Sequence, residues 1–524
     1  MAEQTTTANT PAPPGPLKGG SLVLGTIALS LATFMNVLDS SIANVSLPTI
    51  GGDLGVSLNQ VTWVITSFAV ANAISIPLTG WLTMRFGAVR LFTWSVVLFV
   101  LASLLCGLAP SIELLIVCRV IQGAVAGPMI PLSQSLLLSS YPASRSGTAL
   151  AMWSMTTLVA PVAGPLLGGY ITDNFSWPWI FYINIPIGLA TAWITWVIYR
   201  KRESPTRKLP VDAVGLALLV IWVGSLQIAL DKGKELDWLA SPLILTLALV
   251  ALVGFVVFLI WELTDEHPVV DLRLFKRLNF SVGAVALSLG YGVFFGNVVL
   301  LPLWLQEYMG YTATWAGLVT APVGVLAIMF SPIVGKNVNR VDPRLLASVA
   351  FMVFALVFYL RSGFNTQTDV HTLLVPTIIQ GIAMAFFFIP LVSLTLSGLR
   401  PDQIPAASGL SNFLRITAGA FGTSIATTLW DNRATLHHTQ LIEHISPYND
   451  QASDALNKLQ QSGLTLGQAT AQINQVVTQQ AAMLSADDIF YVSSLICLGL
   501  IGLVWLAKPV KSATAAGAAS SGAH

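Results

Sequence analysis

The chain is written in long apolar runs separated by short polar ones. No Lys, Arg, Asp or Glu occurs within 54–84, 91–112, 120–144, 146–172, 174–199, 213–230, 238–261, 278–306, 308–335, 345–360, 370–399, 416–430 or 489–507. A helix needs about 20 mostly apolar residues to cross a bilayer. One further run, "TFMNVLDSSIANVSLPTI" from Thr33 to Ile50, is apolar on both sides of a single acid, Asp39. The pattern predicts an all-α membrane protein with fourteen transmembrane helices.

Composition and charge placement sharpen that picture. Of 524 residues, 54% are hydrophobic and 9% charged, whereas a soluble domain carries roughly 25% charged residues. If the first helix enters from the cytoplasm, 18 Lys and Arg fall in cytoplasmic loops, among them Lys18, Arg85, Arg90, Arg145, Arg200 and Lys201. Five fall outside: Lys232, Lys234, Arg361, Arg433 and Lys458. The asymmetry follows the positive-inside rule and puts both termini in the cytoplasm. Residues 1–20, "MAEQTTTANTPAPPGPLKGG", are polar and Pro-rich and read as a disordered cytoplasmic segment, not a cleavable signal. Cys106, Cys118 and Cys497 form no metal-binding or disulfide pattern, and no phosphate-binding GxxxxGK[ST] is present. No cofactor, metal or enzymatic constellation is expected.

The chain also repeats itself. "RVIQGAVAGPMIPLSQSLLLSS" from Arg119 matches "TIIQGIAMAFFFIPLVSLTLSG" from Thr377, with 258 residues between the two Ile-Gln-Gly triplets. "TWVITSFAVANAISIPLTGW" from Thr62 matches "TWAGLVTAPVGVLAIMFSPI" from Thr314. Two related halves place a substrate site between them near the midplane. The expected organisation is a six-helix bundle over 21–200, a linker with two extra helices and basic cytoplasmic loops over 201–278, and a second six-helix bundle over 279–507. A polar outer loop lies at 431–488, helical with a break at Gly463, and a cytoplasmic tail at 508–524.

An acid at bilayer depth costs about 2.5–3.5 kcal/mol on insertion scales, so Asp39 should face the interior and have a partner. Arg119 is the cation well inside the first half. A carboxylate whose cationic partner moves away gains a proton, because burial favours the neutral form. Proton coupling, a permanent structural ion pair and solvation at a helix end are the readings that remain open. Glu307 closes "NVVLLPLWLQE" near the outer face, as an interfacial residue or a proton entry point. Arg415 either snorkels or pairs internally. Bulky lipophilic ligands need aromatic walls with few polar groups, and the candidates are Asn44, Gln122, Trp153, Phe294, Phe295, Asn297, Phe386 and Phe387.

Four motifs stand in order along the chain: "VLDSSIANVSLPTI" from Val37, "GWLTMRFGAVR" from Gly80, "RVIQGAVAGP" from Arg119 and "APVAGPLLGGYI" from Ala160. Together they resemble the fourteen-helix drug:proton antiporters of the major facilitator superfamily, in its multidrug efflux branch. Met84 stands where that family usually has an Asp. The motifs mark a conformational switch at Gly80, Arg85, Gly87, Arg90, Gly123, Gly164, Pro165, Gly168 and Gly169, with the helix-five residues suited to a rocking contact between halves. The resemblance implies the major facilitator fold and proton-driven export of hydrophobic drugs by alternating access. It also implies a Gram-negative inner membrane, a periplasmic membrane-fusion adaptor of EmrA type and an outer-membrane channel of TolC type. Transport of another metabolite, such as a siderophore, on the same fold is the alternative, and a non-transporting receptor is the next.

Overall fold

The structure is a computed structural model that describes residues 15–509 apart from 208–209, 211, 444 and 446–448. Most of the two expected tails, with Lys511, and Lys208 of the linker lie outside the described residues. Every regular element among the described residues is helical. The long rods are α1 (Gly19–Leu54), α2 (Trp63–Ser75, continued as Thr79–Phe86), α3 (Ala88–Gly107), α4 (Ile112–Ala126, continued as Met129–Ser140), α5 (Ser146–Asn174), α6 (Asn184–Tyr199), α7 (Ala213–Lys232) and α8 (Pro242–Thr264). They continue as α9 (Leu278–Glu307), α10 (Ala313–Thr320, continued as Val323–Asn337), α11 (Pro343–Arg361), α12 (Val370–Thr395), α13 (Ile404–Glu443) and α14 (Leu466–Trp505).

Local chemistry sets the ends and bends. The carboxylates of Asp212, Asp342 and Asp369 accept from backbone N–H groups at the starts of α7, α11 and α12, satisfying donors that a helix leaves free. The two arms of α2 meet at 62° across Ser75–Thr79, where Pro77 removes a backbone donor. Pro128 and Pro322 stand at the corresponding breaks in α4 and α10. The 54–84 run therefore holds a bent helix pair.

Among the described residues, eleven helices are long and apolar enough to cross a membrane, twelve with the bent α2 counted as one. The remaining two rods, α5 and α13, pack against α1 and α9 respectively. The repeat is visible in the element starts: Ile112 and Val370, like Ser146 and Ile404, are separated by the same 258 residues as the Ile-Gln-Gly triplets. The packing partners repeat too. α3 lies on α4 and α6 as α11 lies on α12 and α14. The extra pair α7 and α8 packs on itself and, through α7, on α2 and α13. Most of α8 is exposed apolar surface, including Leu249, Leu252, Val253 and Ile260, as lipid contact requires.

The ends of α13 and α14 run further than the sequence reading placed them. Both extend into 431–488 from either side and form a helical hairpin, joined through Asp450–Gln461 and Gly463 at φ +98°. Gly463 takes a left-handed backbone that other residues disfavour. We call this the hairpin end, and the opposite end, with Lys18, Arg85, Arg145, Arg344 and Lys508, the basic end.

Candidate functional site

Asp39 sits in the middle of α1, buried to 1% exposure, and Arg119 on α4 is fully buried. Arg119 Nη1 donates to Asp39 Oδ2 at 2.5 Å. Gln122, one turn along α4, donates to the other carboxylate oxygen at 3.1 Å, and Asn184 of α6 donates to the same oxygen at 2.8 Å. Ser103 of α3 accepts from Gln122 at 2.7 Å and from Asn184 at 3.0 Å. Arg119 also donates through Nε to the Val64 carbonyl at 3.0 Å, and its guanidinium lies 4.2 Å from the Phe68 ring centroid. α4 and α6 thus donate directly to the α1 carboxylate, and α3 holds both amides through Ser103. Charge-assisted bonds of this kind are the strong ones.

Two connected chambers lie between the halves. The first, about 260 Å³, is lined among others by Phe294, Phe295, Asn297, Met384, Phe388 and Arg361. The second, about 490 Å³, reaches from Asn36, Ser40 and Phe68 to Asp231, Lys234 and Glu235 at the hairpin end of α7. Tyr291, Phe295 and Arg415 border both. Arg415 does not snorkel: it is buried, donates to Asn412 Oδ1 at 2.8 Å and lies 4.6 Å from the Tyr291 ring centroid. Asn36 and Ser40 flank Asp39 on α1, and Phe68 covers Arg119, so one layer of side chains separates the acid from the second chamber.

The halves touch at the basic end. Asn339 after α10 accepts from Ser146 Oγ at 3.2 Å and donates to the Ser144 carbonyl at 3.0 Å. A Cβ on Gly335 would come within 2.5 Å of the Gly147 carbonyl oxygen, and one on Gly80 within 2.6 Å of the Ala406 Cβ. Asn412 of α13 donates to Gln134 of α4 at 3.1 Å, both buried.

The structure sorts the sequence candidates. Asp39, Arg119 and Gln122 meet in one cluster, so Gln122 serves the acid and does not line a chamber. Phe294, Phe295 and Asn297 line the first chamber. Asn44 is exposed, bonded only to the Ser40 carbonyl of its own helix at 3.5 Å. Trp153 is buried and donates to Ser133 at 3.2 Å. Phe386 packs on Phe330, and Phe387 on Phe351 and Phe354. Phe388, one position on, is the ring of that trio that reaches both Tyr291 and the chamber. Glu307 is exposed at the last residue of α9.

Among the switch candidates, Gly80 makes the inter-half contact already described. Gly87, at φ +88°, faces Glu203. Glu203 accepts from Val89 N at 2.9 Å and Arg90 N at 3.0 Å, with the Arg90 side chain at 3.9 Å. An acid from the linker after α6 thus serves this loop, where position 84 holds Met. Arg85 lies over Trp81 at 5.5 Å. Gly123 meets the Phe68 backbone, Gly164 meets Ser41 and Gly168 meets Ile42, while Gly169 faces open space. The helix-five glycines therefore bring α5 onto α1 within one half, as small residues at four-residue spacing allow. The same helix also meets the other half, where Gly147 lies against Gly335. The Pro165 side chain lies outside the described residues.

Three features escaped the sequence reading. Ser103 and Asn184 look like any polar residue in an apolar run. Arg361, counted as an outer-loop cation, is the last residue of α11 and is buried to 2% exposure, bonded to Thr377 and Gln380 of α12. Lys232, likewise counted outside, is buried and paired with Glu235 at 3.0 Å.

Comparison with known proteins places this geometry. The family model of the Major Facilitator Superfamily matches residues 29–423. The chain is 54% identical over 510 residues to the multidrug export protein EmrB of Escherichia coli K12, covering 97% of this chain and 99% of that one. It is 50% identical over 494 residues to the fatty acid resistance protein FarB of Neisseria gonorrhoeae, covering 94% and 97%. Among solved structures, the human organic anion transporter MFSD10 (TETRAN) superposes with a TM-score of 0.59 at 12% identity, covering 92% of this chain and all of that one, a likeness of fold alone. With a family model spanning most of the chain and near-full-length identity above one half, the chain belongs to the major facilitator superfamily and, within it, to the EmrB-type multidrug export proteins.

Proposed function

We propose that this transporter exports hydrophobic compounds by alternating access, driven by protons that load and leave Asp39. The observation that carries the reading is a buried acid held by three side-chain donors from two other helices, one side-chain layer from a chamber between the halves. In the arrangement described, the basic end is closed by the Gly147–Gly335 and Gln134–Asn412 contacts, and Asp39 is paired with Arg119. A proton reaching Asp39 from the hairpin end neutralises the carboxylate and frees Arg119. Rocking of the halves then parts the basic-end contacts, cargo enters there, and the proton leaves to the cytoplasm as the pair re-forms. Closure of that end carries the cargo to the hairpin side. The largely aromatic and aliphatic walls of the first chamber favour lipophilic cargo over a polar chelate such as a siderophore.

The same reading gives fourteen spans in two six-helix bundles with the α7–α8 insertion, both termini in the cytoplasm of a bacterial cell, and the hairpin in the periplasm. The positive-inside bias supports that orientation. The hairpin is the natural seat for a periplasmic adaptor of EmrA type, which would connect to a channel of TolC type. Proton release on drug binding to the purified protein tests the coupling. Release from the unaltered chain and none from correctly folded Asp39→Asn supports it; equal release from both removes Asp39 from the role.

A further inference from the structure

Each half carries one polar constellation, and only one of them is electrically complete. The 258-residue offset carries Asp39 onto Asn297, Ser103 onto Arg361, Arg119 onto Thr377 and Gln122 onto Gln380. In the second half, Arg361 donates to Gln380 Oε1 at 2.8 Å and to Thr377 Oγ1 at 3.3 Å, while Asn297 donates to Ser493 of α14 at 2.9 Å, as Asn184 of α6 serves the first half. The guanidinium has moved by one helix, from α4 to α11, and the acid has become an amide. Arg361 is buried with no carboxylate in salt-bridge range among the described residues, and its Nε, Gln380 Nε2 and Asn297 Oδ1 have no hydrogen-bond partner. Removing a buried cation's counter-charge is strongly unfavourable. Here the counter-charge is not supplied by the chain, yet Arg361, Gln380, Thr377 and Asn297 all line the first chamber. Arg415, a second buried guanidinium with no acid in ion-pair range, borders it as well.

We infer that the first chamber binds an amphipathic monoanion. Its oxyanion head takes at Arg361 the place that Asp39 takes at Arg119, also accepting from the free Gln380 amide. Its hydrocarbon part lies on Phe294, Met384 and Phe388. Calling this anion the cargo rests on the export reading; the binding site itself stands on the constellation. The same head chemistry is carried by a free lipophilic carboxylate and by the phosphate of a bilayer lipid.

The test uses the full chain purified in non-ionic detergent, titrated with dodecanoate, with dodecan-1-ol as the uncharged match, and with phosphatidylglycerol. Dodecanoate should bind more tightly than the alcohol. Arg361→Gln should weaken dodecanoate at least tenfold and the alcohol less than twofold. Asn297→Asp places an internal carboxylate in the same chamber, so it should also weaken dodecanoate at least tenfold while holding or raising the melting temperature; this variant decides the matter if Arg361→Gln does not fold. Unchanged dodecanoate affinity in folded Asn297→Asp or Arg361→Gln overturns the site, and so does an Arg361-dependent affinity shown by phosphatidylglycerol alone. Retained proton coupling in Asp39→Asn would refute the coupling reading and leave these binding results standing, so the two failures are distinguishable.

Discussion

Asp39 and Arg119 are 80 residues apart in the chain and 2.5 Å apart in the fold, with neither side chain reaching solvent. Around them, Gln122, Asn184 and Ser103 close a network that leaves one guanidinium nitrogen, Arg119 Nη2, without a partner. A pair so placed is asymmetric toward mutation. Removing one member strands the other, which costs about 3–5 kcal/mol. Arg119→Ala should therefore lower the melting temperature sharply. Asp39→Asn keeps size and much of the hydrogen bonding and should be milder in stability yet lose gradient-driven export. Thermal melts beside transport in proteoliposomes check both halves of this expectation. An Arg119→Ala protein as stable as the unaltered chain would contradict it.

The basic-end contact gives a second expectation. Gly335 and Gly147 approach through their backbones, so Gly335→Leu forces a side chain into the opposite carbonyl. Closure at that end should be blocked. A cysteine placed on the chamber wall should label faster from the basic side, ligand binding should persist, and export should stop. Unchanged labelling would show that the contact does not hold the gate.

Glu203 yields a third. It accepts from two backbone donors in the first turn of α3, the work of an N-cap. Loss of a capping acceptor costs about 0.5–2 kcal/mol. Glu203→Ala should destabilise by about that much, and Glu203→Gln by less, because an amide oxygen still accepts. Chemical denaturation monitored in detergent resolves the two. A larger loss in the Gln variant would sink the capping account.

The hairpin gives the fourth. Gln479 bonds to the Tyr308 carbonyl, Gln480 bonds to Thr366 at 2.8 Å, and Val477 is buried, so the lower part of α14 is anchored to the bundle. Replacing only 450–461 with a short Gly-Ser linker spares those anchors. It should weaken co-purification of an EmrA-type adaptor while leaving ligand binding to the isolated chain intact. Full adaptor recovery would place the docking surface elsewhere.

The sequence by itself determined the class of molecule. Charge-free runs of bilayer length and a repeated Ile-Gln-Gly triplet are one-dimensional quantities, and each maps directly onto helices or symmetry. It also singled out Asp39 and Arg119, because a charge in an apolar run is costly wherever the run goes. What it could not decide was which side chains share a space. Asn184 came to donate to the acid, and Ser103 to hold Asn184 and Gln122, only when α6 and α3 packed beside α1 and α4. Phe388 and not Phe387 faces the chamber because one residue turns a helix by about 100°, and the rotation is set by packing against neighbours. Arg361 stood at the end of an apolar run and read as a loop cation. Only the tertiary structure, by packing α12 against α11, made it a buried charge with no acid in ion-pair range among the described residues. Burial and pairing belong to contacts between distant segments, and those exist only once the helices have assembled.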